Sequence, residues 1–146
     1  MKTIDFTVPG KPTGKERPRV TSHGTYTPTR TRSYEKLVAE KYIEAAKDKY
    51  DPEKVEAAEV YITAYFGVPK SWTIHAKRDH YNQPAGKKPD ADNIGKIICD
   101  ALNGVAYKDD ACVSELDVSK VYCDKDEEPR VEVTVALFME VEDDDG

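Results

Sequence analysis

The chain has 146 residues, with 22 lysines and arginines against 28 aspartates and glutamates, and a net charge of −6. That length suits a single domain and is enough to bury a real core. No run approaches the roughly 20 apolar residues of a bilayer span. The opening MKTIDFTVPGKP lacks the apolar core of a signal peptide, so a soluble, cytoplasmic protein without membrane contacts is expected.

Ile4, Phe6 and Val8 alternate, which predicts a strand over 2–8, ended by Pro9-Gly10. Residues 9–32 are rich in Pro, Gly, Thr and Arg without an apolar period. Such a long loop in a compact domain is usually either functional or disordered. Residues 33–50 read as a helix carrying Tyr34, Leu37, Val38, Tyr42, Ala45 and Ala46 on one face, stopped by Asp51-Pro52. Over 57–68, Val60, Ile62, Ala64 and Phe66 alternate with Tyr61, Thr63 and Tyr65, a strand. Residues 69–89 are polar and irregular. From there Ile94, Ile97, Ile98, Ala101 and Leu102 form one apolar helical stripe, with Asp92 placed to cap it and Gly104 to end it. Strands follow over 112–123 and 130–141, the second strictly alternating from Val131 to Val141. An acidic turn, 124–129, joins them. The order β-α-β-loop-α-β-β predicts an α/β (mixed α+β) domain with a mixed sheet and two main helices. The domain should span 1–140, leaving 141–146 as an acidic tail. Cys99, Cys112 and Cys123 have no CxxC spacing, so reduced, buried thiols are expected rather than disulfides or zinc.

The charge is unevenly spread. Residues 11–36 hold seven basic side chains (Lys11, Lys15, Arg17, Arg19, Arg30, Arg32, Lys36) against two acidic ones. Residues 70–88 hold five (Lys70, Lys77, Arg78, Lys87, Lys88) against Asp79 alone. Local field, not net charge, steers a polyanion, so both runs are candidate DNA contacts. Between the basic and the acidic parts lies Lys87-Lys88-Pro89-Asp90-Ala91-Asp92-Asn93-Ile94-Gly95-Lys96. It sets two carboxylates and a lysine at a helix start, where the helix dipole keeps carboxylates ionised. Hard cations such as Mg²⁺ take a few such oxygens and keep open positions for water and phosphate. From Gly104 the chain can reach back about 20 Å when extended, enough to bring Asp109 or Asp110 to that end. Asp100 lies eight residues, about 12 Å, along the helix. It is therefore expected to be surface, paired with Lys96.

Residues 87–123, KKPDADNIGKIICDALNGVAYKDDACVSELDVSKVYC, resemble the core of the RusA family of Holliday-junction resolvases (crossover junction endodeoxyribonucleases), common in phages and prophages. The family pattern is close to K-P-D-x-D-N-x-x-K-x-x-x-D-A-L-N-G, a short gap, then D-D-x-x-V. The run Pro12 to Arg19, with Tyr26-Thr27-Pro28, is similar to the family's basic leader. The resemblance implies that Asp90, Asp92 and Asp110 are metal-binding carboxylates and that Lys96 is the catalytic lysine. It also implies Mg²⁺ dependence (with Mn²⁺ able to substitute), a homodimer, and paired nicking of four-way or branched DNA in recombination and repair. The DNA-contact set would be Lys11, Lys15, Arg17, Arg19, Arg30, Arg32, Lys77, Arg78, Lys87 and Lys88, with Tyr26, Trp72 or Tyr81 available to stack on unpaired bases. The apolar last strand, Val131 to Val141, is a candidate dimer edge. The competing class is a non-catalytic branched-DNA-binding or replication-accessory protein of the same fold. It would need the basic runs but not converging carboxylates.

Overall fold

The computed structural model describes residues 1–26 and 28–141. The acidic tail beyond 141, Thr27 of the leader and the side chain of Tyr26 lie outside the described residues.

Four long strands form one mixed sheet: β1 (Lys2–Pro9), β4 (Val55–Phe66), β5 (Val113–Tyr122) and β6 (Arg130–Met139), in the order β1-β6-β4-β5. β6 runs antiparallel to both neighbours, with Ile4 opposite Val135 and Ile62 opposite Val133. β4 and β5 are parallel, with Ile62 opposite Val118. A parallel pair needs a long crossover. Here it contains α2 (Ile74–His80) and α3 (Ala91–Ala101).

The alternation read from the sequence sorts the two faces. Ile4, Phe6, Val8, Val60, Ile62, Ala64, Val131, Val133, Val135 and Leu137 are all buried. They pack beneath α1 (Thr29–Ala45), which lies on β1, and α3, which lies on β4 and β5. The other face stays open and polar, lined by Asp5, Thr7, Tyr61, Thr63, Asp117, Glu132 and Thr134. Because β6 sits between β1 and β4, both of its edges are paired. The expected dimer edge on that strand does not exist.

Three local expectations change. The 9–32 loop contains a short hairpin, β2 (Arg19–Thr21) with β3 (Gly24–Tyr26), with Gly24 in the positive-φ region at its turn. α1 begins at Thr29, directly after Pro28, and stops at Ala45. Its first turn has no apolar period, yet Thr31 is fully buried. Residues 69–89 contain α2, capped by the Thr73 hydroxyl, which accepts from the Ala76 N–H at 3.2 Å. Its inner side holds no aliphatic stripe. It packs through His80 on Trp72, ring centroids 4.4 Å apart, and both rings meet Tyr122. All three cysteines are unbridged and buried, as expected. Among the described residues no helix is long and apolar enough to cross a membrane.

Candidate active site and nucleic-acid interface

Complete burial of Ile94, Ile97, Ile98 and Leu102 fixes the rotation of α3. Gly95 lets the helix press on β5: a Cβ there would meet Leu116 Cδ2 at 2.9 Å and Val118 Cγ2 at 3.2 Å. Asp92, Lys96 and Asp100 are thereby turned outward, toward the start of β5.

The head of the helix is held from both sides. The Lys15 N–H donates to the Asn93 carbonyl at 2.9 Å. Gly14 lies so close that a Cβ would meet Pro89 Cβ at 2.7 Å and Asn93 Cβ at 3.1 Å. From the other side, Lys120 Nζ donates to the carbonyls of Lys87 at 2.7 Å and Pro89 at 3.1 Å. The Lys88–Pro89 peptide is cis. Asp90, not Asp92, occupies the N-cap, and its side chain makes no capping hydrogen bond.

After α3, Gly104 (φ +73°) turns the chain, and Tyr107 anchors the return. Tyr107 is fully buried, and its hydroxyl donates to the Cys99 carbonyl at 2.8 Å. Tyr50 donates to the Ala106 carbonyl at 2.7 Å from the other side. These anchors deliver Asp109 and Asp110 to the flank of α3. The Asp109 carboxylate accepts from the Ala111 N–H at 3.2 Å, opening a single 3-10 turn, Asp110–Cys112, before β5.

Asp92, Lys96, Asp100 and Asp110 then line one cleft of about 360 Å³, floored by Gly95, Cys99, Val113 and Leu116. A hydrogen bond with Asp109 raises the pKa of the Asp110 carboxyl above the ordinary aspartate value, and burial and the charges of Asp109 and Asp100 add to this. Asp109 is lowered by the same hydrogen bond and by the Ala111 N–H. Asp90 opens instead onto a neighbouring recess of about 290 Å³ with Gly14, Lys15, Glu16, Arg30, Lys88 and Asn93. Asp90 is the extended N-cap residue (φ −66°, ψ 152°) and stands off the helix, so the two motif aspartates line different recesses. Among the described residues no three His, Cys, Asp or Glu side chains lie close enough to hold a metal ion.

Asp100 is not the Lys96-paired surface acid that spacing suggested. It pairs with Lys15 at 3.2 Å, rather than with Lys96, and helps raise Asp110. Lys15 also binds Glu35 of α1 at 2.6 Å and is only 19% exposed. Burial lowers its pKa, but the hydrogen bonds it donates to Glu35 and Asp100 outweigh that and leave it above the ordinary lysine value. This lysine ties the leader to α1 and α3, a use the basic run did not signal. The position of Asp100 four residues after Lys96 is the one hint that it shares the cleft.

The remaining cations are distributed over the leader, α1 and the crossover. Arg17, Arg19 and Arg32 are exposed. Arg30 is exposed beside Glu16, at 3.9 Å. Lys88 borders the Asp90 recess, and Lys77 and Arg78 lie on α2. Lys11 and Lys87 share a larger groove with Lys70 and with the acidic turn residues Asp124, Asp126, Glu127 and Glu128. Of the expected stacking aromatics, Trp72 is engaged with His80 and Tyr122, while Tyr81 lines a surface recess.

The cleft at the junction of α3 and β5 thus combines three carboxylates with one lysine. The sequence profile described as Endodeoxyribonuclease RusA matches residues 9–136. The chain is also 34% identical over 141 residues to the Uncharacterized protein YqaN of Bacillus subtilis (strain 168), covering 92% of this chain and 96% of that protein. The chain belongs to the RusA endodeoxyribonuclease family.

Proposed function

We propose that this chain hydrolyses phosphodiester bonds of four-way or otherwise branched DNA in recombination and repair. It does so with Mg²⁺ (or Mn²⁺) and as a homodimer with one site per subunit. The observation that carries the reading is the cleft shared by Asp92, Asp100, Asp110 and Lys96, on a chain of an endodeoxyribonuclease family.

The residues fit a hard divalent cation. Carboxylate oxygens are its preferred donors. The raised pKa of Asp110 comes first from its hydrogen bond with Asp109, then from burial and the neighbouring charges of Asp109 and Asp100. Asp92 and Asp110, which line the cleft, would hold the ion; Asp90, which opens onto the neighbouring recess, is kept in the set only by the family pattern. A bound cation supplies a more acidic water and neutralises charge building on the phosphate. Lys96, exposed on the same helix face, holds a non-bridging phosphate oxygen as negative charge develops there. Lys15 positions Asp100 and so the far wall of the cleft. Arg17, Arg19, Arg30, Arg32, Lys87 and Lys88 meet backbone phosphates, which orients DNA without reading its sequence.

Asp90→Asn, Asp92→Asn and Asp110→Asn should each lose nicking by orders of magnitude while junction binding holds or tightens, because an amide removes a ligand and also removes repulsion toward phosphate. Lys96→Ala should lose cleavage far more than binding. Asp100→Asn should lose less, since Lys15 already occupies one of its oxygens. Near wild-type nicking by all three aspartate variants would sink the assignment.

A further inference from the structure

We propose that the outer face of α2 is a pocket for one unpaired nucleotide, separate from the acidic cleft. Ile74, Lys77, Arg78 and Tyr81 fall at i, i+3, i+4 and i+7, one stripe along the helix and onto its C-cap. Such a stripe ordinarily faces a core. Here the inward side is taken by His80, packed on Trp72 and Tyr122. The stripe is turned to solvent, and Ile74 is 74% exposed. With Lys125 from the β5–β6 turn it lines a recess of about 330 Å³ that contains three cations, one aliphatic side chain and one phenol ring, but no carboxylate. That lining stands out in a chain whose acids outnumber its bases.

The chemistry selects the ligand. An aliphatic chain and an aromatic ring take the face of a base, and cations take the flanking phosphates. A base stacked inside a duplex hides its faces, so entry requires an unpaired or extruded nucleotide. The recess is also firmly placed. Past Tyr81 the chain is stitched to β5: Asn82 N–H to Tyr122 O at 3.1 Å, Tyr122 N–H to Gln83 O at 2.9 Å and Ala85 N–H to Lys120 O at 2.9 Å. The same segment then runs through Lys87 to Asp90. One continuous, β5-anchored segment thus joins the pocket to the head of α3, the helix that carries Asp92 and Lys96. This inference rests on the DNA reading above and deepens it: the feature recognised is an unpaired nucleotide at the branch, not the duplex arms.

The test is fluorescence anisotropy in chelator-containing buffer with three probes: a four-way junction, a duplex with a one-nucleotide bulge, and the same duplex fully paired. Wild type should prefer the first two. Ile74→Ala and Tyr81→Ala should each reduce the bulge-over-duplex preference, by about fivefold or more for Tyr81→Ala, with paired-duplex affinity unchanged. A 2-aminopurine at the bulge should change its fluorescence on binding wild type and not on binding Tyr81→Ala. Ile74 is exposed, so its alanine variant keeps the fold, which circular dichroism verifies. Wild-type preference in both variants, or equal loss on bulged and paired DNA, overturns the pocket and leaves the proposed nuclease function standing. A wild-type protein that binds none of the three probes overturns both.

Discussion

Gly14 sets how closely the leader approaches the head of α3. A methyl group there meets Pro89 Cβ, part of a rigid ring, and Asn93 Cβ, fixed to a helix. Neither neighbour can swing away. Gly14→Ala should therefore destabilise the protein by about 1–3 kcal/mol, the usual range for overpacking, and lower cleavage by shifting Asp90 and Lys15. Denaturant unfolding checks the first effect and nicking rates the second. Asp110 makes a different prediction. Its pKa is raised, so it takes up a proton at higher pH than an ordinary aspartate. Protonation removes a ligand charge. The rise in Tm on adding Mg²⁺ should then be full near neutral pH and fade as pH falls through the raised Asp110 value. It should be small at every pH in Asp110→Asn. A Mg²⁺ shift unchanged by that substitution would remove Asp110 from the ligand set.

At the scale of elements, β6 is the structural centre of the sheet. Val133 is buried between partners on both sides. Val133→Asp buries an unpaired carboxylate and should leave the chain unfolded in circular dichroism, whereas Val141→Asp, 90% exposed, should not. β6, β4 and α3 were legible in the sequence because each repeats one apolar period over its length. The hairpin β2–β3 was not, since Arg19–Thr21, Gly24 and Thr25 are exposed and leave no apolar period. α2 escaped for a related reason: its apolar spacing exists but faces outward, and it docks through His80 on Trp72 rather than through an aliphatic stripe. Among the residues lining the cleft, Asp92, Lys96 and Asp110 were expected together from their spacing around the helix start and the return loop, whereas Asp90, expected with them, opens onto another recess. Asp100 was not, because a distance along the helix from Asp92 says nothing about where the return chain crosses it. Tyr107 decides that crossing, and a single buried tyrosine has no sequence pattern.

For the whole molecule, a net charge of −6 conceals a division. The open sheet face carries Asp5, Asp117 and Glu132. The leader and α1, on the helical side, carry Arg17, Arg19, Arg30 and Arg32. DNA should approach from the latter, and its affinity should fall steeply with salt, with a log–log slope of about −0.9 per phosphate neutralised. A flat salt response would remove these cations from the interface. Paired nicking requires two sites, and a closed two-fold dimer is the simplest way for a chain with one cleft to supply them. A mixed dimer of wild-type and Asp92→Asn subunits should then nick one strand and fail to complete resolution in a single encounter. The central claim is that the Asp92–Asp110 cleft cuts branched DNA with a divalent cation. The most direct measurement incubates purified protein with a labelled four-way junction and with linear duplex, in Mg²⁺ and in chelator. The account predicts symmetric nicks in the junction with Mg²⁺, none with chelator, and little cutting of the duplex. Junction nicking that persists in chelator, or no nicking of either DNA in Mg²⁺ or Mn²⁺, would contradict it.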